Sequence, residues 1–402
     1  MLRVEDLNQD CLELIFAHLS VQDLFALSLA SRTLLGSVTP RLYQTLVFHS
    51  GHAKRYSKIL NAFTVVQQRP YYAVHVRAID IRAVPMYRGA VHSTFLQEYV
   101  KTIQMSHGLV SFTCTQSAII PQSLRALQGH SGIRFIRINS RLSQEQTVLL
   151  QNLSSLEAIS FDNSTWNVIH VLPGWTYTMA NTLSSLTLYS LPDLNDTILA
   201  ATVSSLPNLR KFHVINCGKI QHDLVIRLTA HTPNLPWGCS LTSIVLRPSM
   251  RTSLHDTVIT DLLNAHDATL QHVMLLNCGV SINSMRAIAS QCAQLDKLGV
   301  SIPHKDIYSV AMALSRSSTL ETLQDISDTS SQSNTTRPSL TKDNVRVLVD
   351  MVPGLQKVIA WDRVWTAHRP SDRADEGVEL TFEKRRNPTP SHWFEPPTSS
   401  SS

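Results

Sequence analysis

Charged side chains are scarce in this sequence. Lysine, arginine, aspartate and glutamate make up only 16% of the 402 residues, whereas hydrophobic residues make up 43%. This balance is typical of a folded protein and excludes a largely disordered one. The 35 basic and 30 acidic residues leave a net charge of +5, which is too small and too evenly spread to predict a nucleic-acid partner.

Motifs of common enzymes are also absent. The sequence contains neither a phosphate-binding glycine loop nor a dinucleotide-binding fingerprint, and it lacks the nucleophile-elbow and zinc-protease motifs. His49 and His52 have the spacing of a metal-binding pair, but no carboxylate or cysteine lies beside them in the sequence. We therefore expect no catalytic residues, no cofactor and no metal site.

Cysteines are few and scattered. The chain has six, without a C-x-x-C pair or a metal-ligand spacing, at Cys11, Cys114, Cys217, Cys239, Cys278 and Cys292. This pattern indicates reduced and mostly buried thiols of an intracellular protein. The acidic N-terminus argues against a signal peptide, and no stretch approaches the roughly 18 apolar residues of a membrane span. We expect a cytoplasmic or nuclear protein that does not bind a membrane.

Residues 7–48 concentrate apolar side chains at the spacing of helices. In the first predicted helix these side chains are Cys11, Leu12, Ile15, Phe16 and Leu19. Ser20 and Asp23 form a capping-box pattern for a second helix, and Thr39 with Pro40 predicts the start of a last short helix. Helices in so short a segment cannot cover all of one another's apolar surface. The rest of the chain or a partner must cover the remainder.

The order of residues in this segment resembles the F-box of fungal F-box proteins. The match is carried by Leu7, Leu12, Ile15, Leu19, Asp23, Leu24, Leu27, Ala30, Ser31, Arg32, Pro40, Leu42 and Tyr43. The family usually has proline at the start of the first helix, where this sequence has Asn8, a candidate N-cap. The bulky residue that is usual in the third helix is missing after Arg32.

The resemblance implies that these helices bind a Skp-type adaptor, which connects to a cullin. The residues that it assigns to adaptor contact, through burial of apolar surface, are Leu7, Asn8, Leu12, Ile15, Phe16, Leu19, Leu24 and Leu27. The alternative is that the helices form an ordinary cap on a larger domain.

From Val76 onward one apolar pattern repeats along the chain. Each copy has an apolar residue, two variable residues, a second apolar residue, one variable residue and a third apolar residue. The copies start at Val76, Leu109, Ile133, Leu156, Leu183, Leu209, Leu241, Leu270, Leu295 and Leu355, with a weaker copy at Leu320. Most of the spacings between starts are 23 to 29 residues, and a helical pattern usually follows each copy. Leucine-rich repeats have this spacing.

The pattern predicts an α/β fold class, in which a three-helix F-box precedes a leucine-rich-repeat solenoid, a horseshoe of parallel strands and helices. Asn216-Cys217 and Asn277-Cys278 each follow a strand pattern. A buried asparagine at this turn can hydrogen-bond the backbone of the next repeat, and a small buried cysteine fills the bend. These turns resemble the cysteine-containing leucine-rich repeats of F-box proteins. An ordinary α/β domain with alternating strands and helices is the alternative.

These observations predict the organisation of the chain into domains. We assign an F-box to residues 1–48, a helical linker to 49–75, leucine-rich repeats to 76–324, a flexible insertion to 325–340, a last repeat with a C-terminal cap to 341–382, and a disordered tail to 383–402. The insertion and the tail are rich in serine, and the tail also in proline, which is typical of segments without a packed core.

The variable positions of each repeat alternate away from the core and define one face of the predicted sheet. From the copy at Leu109 onward, these positions include four lysines or arginines and two histidines, but no acidic residue. We therefore predict that this face binds an acidic or phosphorylated segment of a protein substrate. The residues assigned to this contact are Arg137, Lys211, His213, His272, Lys297 and Lys357.

The resemblance then implies a function. It predicts a non-catalytic substrate-recognition subunit of an SCF-type cullin-RING ubiquitin ligase, which acts in protein degradation without a cofactor. Two other functions remain open. One is a leucine-rich-repeat interaction scaffold unconnected to ubiquitin, and the other is a GTPase-activating repeat protein, although nothing in the sequence marks a catalytic arginine.

Overall fold

The structure is a computed structural model that describes residues 7–139, 142–162, 166–218, 220–230, 240–249, 252–325, 340–360, 363–369 and 378–384. The chain divides into two compact units between Val168 and Ile169. No helix in these ranges is both long enough and apolar enough to cross a membrane.

The first unit begins with three helices and continues as a strand–helix repeat. Its helices are α1 (Gln9–Phe16), α2 (Val21–Ala30), α3 (Arg32–Leu42), α4 (Ser50–Lys54), α5 (Ala62–Gln68), α6 (Ser93–Met105), α7 (Ile120–Leu127) and α8 (Gln144–Gln151). Its strands are β1 (Thr45–Phe48), β2 (Ala78–Ile81), β3 (Met86–Tyr87), β4 (Ala90–Val91), β5 (Ser111–Cys114), β6 (Phe135–Asn139) and β7 (Ala158–Asp162). Short 3-10 helices lie at Tyr56–Lys58, Pro70–His75 and Ser117–Ile119.

Five strands of the first unit form parallel pairs, in the order β1, β2, β5, β6 and β7. Their register is regular, because Thr45 pairs with Ala78, Ala78 with Ser111, Ser111 with Phe135 and Phe135 with Ala158. The strand β1 follows α3 closely and lies at the edge of this set. The helical segment therefore leads directly into the sheet.

The second unit repeats the same alternation. After α9 (Trp166–Thr178), which crosses the division, its helices are α10 (Asp196–Val203), α11 (His222–Ala230), α12 (Asp256–His266), α13 (Ile282–Gln291), α14 (Ile307–Leu314) and α15 (Lys342–Met351). Its strands are β8 (Ser185–Tyr189), β9 (Lys211–Ile215), β10 (Ser243–Arg247), β11 (Thr252–Ser253), β12 (His272–Leu275), β13 (Cys278–Gly279), β14 (Lys297–Val300), β15 (Thr322–Asp325), β16 (Lys357–Ala360), β17 (Arg363–His368) and β18 (Glu379–Lys384).

The strands of the second unit are mostly parallel. The order is β8, β9, β10, β12, β14, β15 and β16, all paired in parallel, followed by the antiparallel β17 and β18. The short β11 and β13 form a separate parallel pair. N-terminal helices followed by a mostly parallel sheet with helices confirm the predicted fold class.

The repeated apolar pattern corresponds to the strands. In every copy the second apolar residue lies within a strand and is no more than 3% exposed. In β2 and β5 the alternate residues are only partly buried. In these two strands the alternation places one face against the core and leaves the variable positions on the opposite face, as predicted. In the second unit, by contrast, several variable positions are buried as well, namely Thr187, His213, Ser243, Val245 and Met274.

Left-handed asparagines follow two of the strands. Asn216 and Asn277 have φ values of 54° and 57°, which asparagine tolerates better than most residues. The Asn277 amide donates to the carbonyl of Pro248 at 3.4 Å. That carbonyl belongs to the preceding repeat, so the predicted bond from Asn277 to the next repeat is wrong. Cys217 and Cys278 are buried, as predicted.

Replacing Asn277 with alanine will lower the free energy of unfolding by about 1 to 2 kcal/mol, because alanine disfavours the left-handed backbone. Asn277→Gly is the matched control, since glycine keeps this backbone and removes only the amide bond to Pro248. Urea unfolding of the three proteins measures the difference. Equal losses in the two variants would show that backbone conformation is not the cause.

The third helix begins earlier than predicted. Instead of starting at Pro40, α3 starts at Arg32, where the hydroxyl of Ser31 accepts the N–H of Leu34 at 3.1 Å. This cap starts the helix, and Pro40 falls in its last part. The hydroxyl of Thr39 donates to the carbonyl of Leu35 at 2.7 Å rather than capping a new helix.

Two predicted segment boundaries shift. Asp325, assigned to the flexible insertion, ends β15 and accepts the N–H of Ile302 at 3.1 Å, while Leu340 is fully buried. The rest of that insertion, 326–339, lies outside the described residues. The predicted tail begins inside β18, which extends to Lys384, and 385–402 are also outside the described residues.

Candidate functional site

The first three helices have a hydrophobic core of their own. Its buried side chains are Leu12, Phe16, Leu24, Leu34 and Val38, with Leu7, Leu19, Leu27 and Leu42 packed around them. None of the five buried side chains is more than 6% exposed. The three helices therefore share one apolar core, to which each of them contributes side chains.

Side-chain caps fix the start of the first two helices. The Asn8 carbonyl oxygen accepts the N–H of Cys11 at 2.8 Å. At α2, the Ser20 N–H donates to the Asp23 carboxylate at 3.1 Å, and the Asp23 N–H donates to the Ser20 hydroxyl at 3.2 Å. Hydrogen bonds from Ser20 lower the pKa of Asp23, which keeps a negative charge at the helix N-terminus. The predicted N-cap and capping box are both confirmed.

The core corrects the predicted set of adaptor contacts. Leu12, Phe16 and Leu24 are at most 3% exposed, and neighbouring helices of this chain already cover them. A partner cannot reach these side chains without unfolding the segment. We therefore remove these three residues from the contact set and assign them to holding the helices together.

The remaining predicted contacts differ in exposure. Leu7, Leu19 and Leu27 are partly buried against the core, so only part of each side chain is accessible to a partner. Asn8 caps α1 with its side chain. Ile15 is 44% exposed and is the most accessible of the large predicted side chains.

The most exposed of the large apolar side chains in this segment belong to residues that the predicted set of adaptor contacts did not include. Val21, Phe25 and Leu29 of α2 are 74%, 59% and 73% exposed, and Leu14 of α1 is 70% exposed. The three residues of α2 are four positions apart and form one stripe along the helix. We call Val21, Phe25 and Leu29 the α2 stripe. The same spacing in the sequence could have identified it.

Arg137, predicted to contact substrate, is held by a neighbouring strand. Its guanidinium donates to one oxygen of Asp162 through two nitrogens, at 2.6 and 3.1 Å. The Asp162 side chain is 2% exposed and that of Arg137 is 15% exposed. Burial raises the pKa of Asp162, and the charge of Arg137 opposes this rise. The ion pair closes within the first unit, so Arg137 is not available to a substrate carboxylate.

His213, also predicted to contact substrate, is buried. Its ring nitrogens lie 3.2 Å from the Thr187 hydroxyl and 3.0 Å from the Ser243 hydroxyl. Burial, followed by the charges of Lys211 and His272, lowers the pKa of His213 to about 3. The ring is therefore neutral and joins three neighbouring strands, which removes it from the substrate-contact set.

The other four predicted residues lie in one row across the second unit. In strand order this row, which we call the basic row, consists of Lys211, Ser243, His272, Lys297, Thr322 and Lys357. Neighbouring strands are about 4.8 Å apart, so the row extends over about 24 Å. The register thus brings together side chains that are far apart in the sequence.

The described residues hold no group of three or more histidine, cysteine or acidic side chains placed to bind a metal ion. The His49 and His52 rings stack with centroids 3.8 Å apart, and each accepts a backbone N–H through Nδ1. Burial raises the pKa of the thiols to about 12 at Cys114, Cys217, Cys278 and Cys292. These thiols are poor nucleophiles because they stay protonated. Cys11 is exposed, and Cys239 lies outside the described residues.

Comparison with known proteins identifies the helical segment. The F-box domain family matches residues 4–38, which confirms that the helical segment resembles an F-box. No curated protein matches the chain. Among solved structures, the crystal structure of the Rad7 and Elc1 complex in yeast has a TM-score of 0.48 and 16% sequence identity. That match covers 79% of this chain and 88% of the other.

Proposed function

We propose that this protein is a non-catalytic substrate-recognition subunit of an SCF-type cullin-RING ubiquitin ligase, located in the cytoplasm or nucleus. Its F-box domain docks on a Skp-type adaptor, which connects to a cullin. Its strand–helix repeats, which we interpret as leucine-rich repeats, hold a protein substrate. The observation that carries the proposal is the F-box match over residues 4–38.

The exposed apolar surface of the same helices supports docking. Leu14 and the α2 stripe expose large apolar side chains within a segment that already has its own core. Apolar surface of this kind, when contiguous, marks protein interaction sites. Full burial of each such side chain on a partner contributes roughly 1.5 to 3 kcal/mol. In this proposal the α2 stripe contributes the binding energy when the adaptor buries it, and the core holds the three helices in the arrangement that presents the stripe.

A subunit of this kind accelerates ubiquitin transfer without forming a bond itself. It holds the substrate and the ligase in one complex, so that an encounter between separate molecules becomes an intramolecular event. The result is a high effective concentration of the substrate near the ligase, and it requires the F-box and the repeats to bind their partners at the same time. Neither the F-box nor the repeats need an activated nucleophile or a bound metal for this role.

Replacing both Val21 and Phe25 with aspartate will weaken adaptor binding at least about 100-fold, because two apolar side chains lose their burial and two charges are desolvated. The measurement is co-purification of the full chain with a Skp-type adaptor, followed by titration of the two proteins. The melting temperature should stay close to that of the wild type, since both side chains are more than half exposed.

Val148→Asp with Tyr177→Asp is the matched control. These side chains are 53% and 73% exposed and lie on α8 and α9, outside the F-box match. The control should bind the adaptor like the wild type. A wild-type chain that does not bind the adaptor, while remaining folded, would instead favour a leucine-rich-repeat scaffold unconnected to ubiquitin.

A further inference from the structure

We propose that the basic row of the second unit binds an extended, anionic segment of the substrate, whose charges come from carboxylates or phosphates. The inference rests on the proposed function, because that function supplies a protein substrate. The positive charge of the row indicates which chemical class of segment is recognised, namely an anionic one.

The corresponding face of the first unit neutralises its own charges. There, Arg82 forms an ion pair with Asp80 at 2.7 Å, and Arg137 forms one with Asp162 at 2.6 Å. Asp80 and Arg137 occupy the same register position across the strands, beside Thr113. A ligand carboxylate at this face must compete with a carboxylate that is already in place. Recognition of an anion is therefore disfavoured on the first unit.

The basic row keeps positive charge at both of its ends. Lys211 is exposed and Lys357 is partly exposed. Within the described part of the chain, neither lysine has an ion-pair partner. Lysine ammonium groups act as point charges, so they can bind a carboxylate or a phosphate without a strict geometry.

Acidic side chains are absent from the row and from the next row on the same face. That second row consists of Thr187, His213, Val245, Met274, Gly299, Gln324 and Ile359. Beside the row, the carboxylate of Asp296 lies 3.1 Å from the ring of His272. Both of these side chains are nearly half exposed, at 47% and 40%. The pair of His272 and Asp296 does not neutralise the charges of Lys211 and Lys357 at the two ends of the row.

The length of the row sets the size of the ligand. An extended chain advances about 3.3 Å per residue, so about seven or eight residues cover the roughly 24 Å from Lys211 to Lys357. His272 lies between these two lysines but is already paired with Asp296, so it is not assigned a charge of the ligand. The matching segment carries one acid at its start and a second about seven residues later.

The test uses the full chain and three fluorescent peptides of about ten residues. One carries glutamates at the spacing given above, one carries phosphoserines there, and one carries neutral serines. Anisotropy titrations at low and physiological salt should show binding of an anionic peptide at least about tenfold tighter than the serine peptide, with the difference shrinking as salt rises. Equal affinity for glutamate and phosphoserine identifies charge alone, and preference for phosphoserine identifies a phosphate source.

Lys211→Glu with Lys357→Glu should reduce the affinity for the anionic peptide at least about tenfold. The matched control, Lys101→Glu with Lys342→Glu, makes the same charge change at exposed positions on α6 and α15 and should alter affinity less than about twofold. Equal affinity for all three peptides, or an unchanged affinity in the row variant, would overturn the inference. Adaptor binding is measured in parallel, so a failure of the proposed function appears there and not in the peptide arm.

Discussion

Replacing Phe48 with alanine will lower the free energy of unfolding by about 3 to 5 kcal/mol. Phe48 is 2% exposed at the end of β1. Its ring lies 4.7 Å from that of Phe95 and 5.9 Å from that of Phe63, measured between centroids. Truncation leaves a cavity among aromatic rings that also support α5 and α6. Chemical denaturation of the full chain measures the loss.

Phe25→Ala is the matched control for this substitution. It removes the same side chain from a position that is 59% exposed, and surface changes of this kind usually alter stability by less than about 0.5 kcal/mol. Similar losses for the two variants would contradict the assignment of Phe48 to the core. The pair separates an aromatic ring that builds the fold from one that we propose to be used in docking.

The same reasoning changes where the helical segment can be cut. A chain that starts at Tyr43 keeps β1, whereas a chain that starts at His49 loses its two buried side chains, Leu46 and Phe48. Tyr43 also stacks on Tyr72 with ring centroids 4.2 Å apart. We expect the first truncation to stay soluble and the second to aggregate. The predicted boundary at 48 would therefore mistake a sheet strand for the end of a separable module.

Lowering the pH below about 6.5 will destabilise the protein through His213. The folded-state pKa is lowered to about 3, so the unfolded chain takes up a proton before the folded one does. The stability that neutral His213 contributes is fully present above about pH 6.5 and is lost as the pH falls towards 3. The loss is about 1.4 kcal/mol for each pH unit, or roughly 2 to 3 kcal/mol between pH 6.5 and 4.5.

His213→Gln isolates this contribution. Glutamine can still bond to the hydroxyls of Thr187 and Ser243 but does not titrate, so its stability should fall less steeply with decreasing pH. Burial also lowers the pKa of His266, which acts in the same direction in both proteins and cancels in the comparison. Urea unfolding at several pH values gives the two curves. Parallel curves would show that the His213 ring is accessible to protons in the folded state.

The repeat could be predicted from the sequence because its signal is local. The second apolar residue of every copy must enter the core, and the constant internal spacing reveals this without knowledge of neighbouring strands. The caps at Asn8 and Ser20 are also local, since each bonds a backbone group within three residues. Pro40 was misread because an earlier cap, Ser31, had already started the helix.

The binding surfaces could be predicted only in part, because they depend on pairing between distant residues. Nothing near Arg137 in the sequence shows that Asp162 meets it across one strand boundary. The burial of His213 likewise requires Thr187 and Ser243 from the strands on either side. In the F-box helices, apolar residues occur on more than one face, so composition cannot tell Phe16 of the core from Phe25 of the surface.

The short connection between α3 and β1 sets a geometric limit on the proposed ligase. Only Tyr43 and Gln44 separate these elements, and the Gln44 carbonyl accepts the N–H groups of Arg77 and Ala78 at 2.9 and 3.0 Å. The docked helices and the first strands therefore turn as one body, without a hinge between them. In the proposed complex, an adaptor bound to the helices would therefore also hold the first strands of the sheet at a fixed orientation to itself.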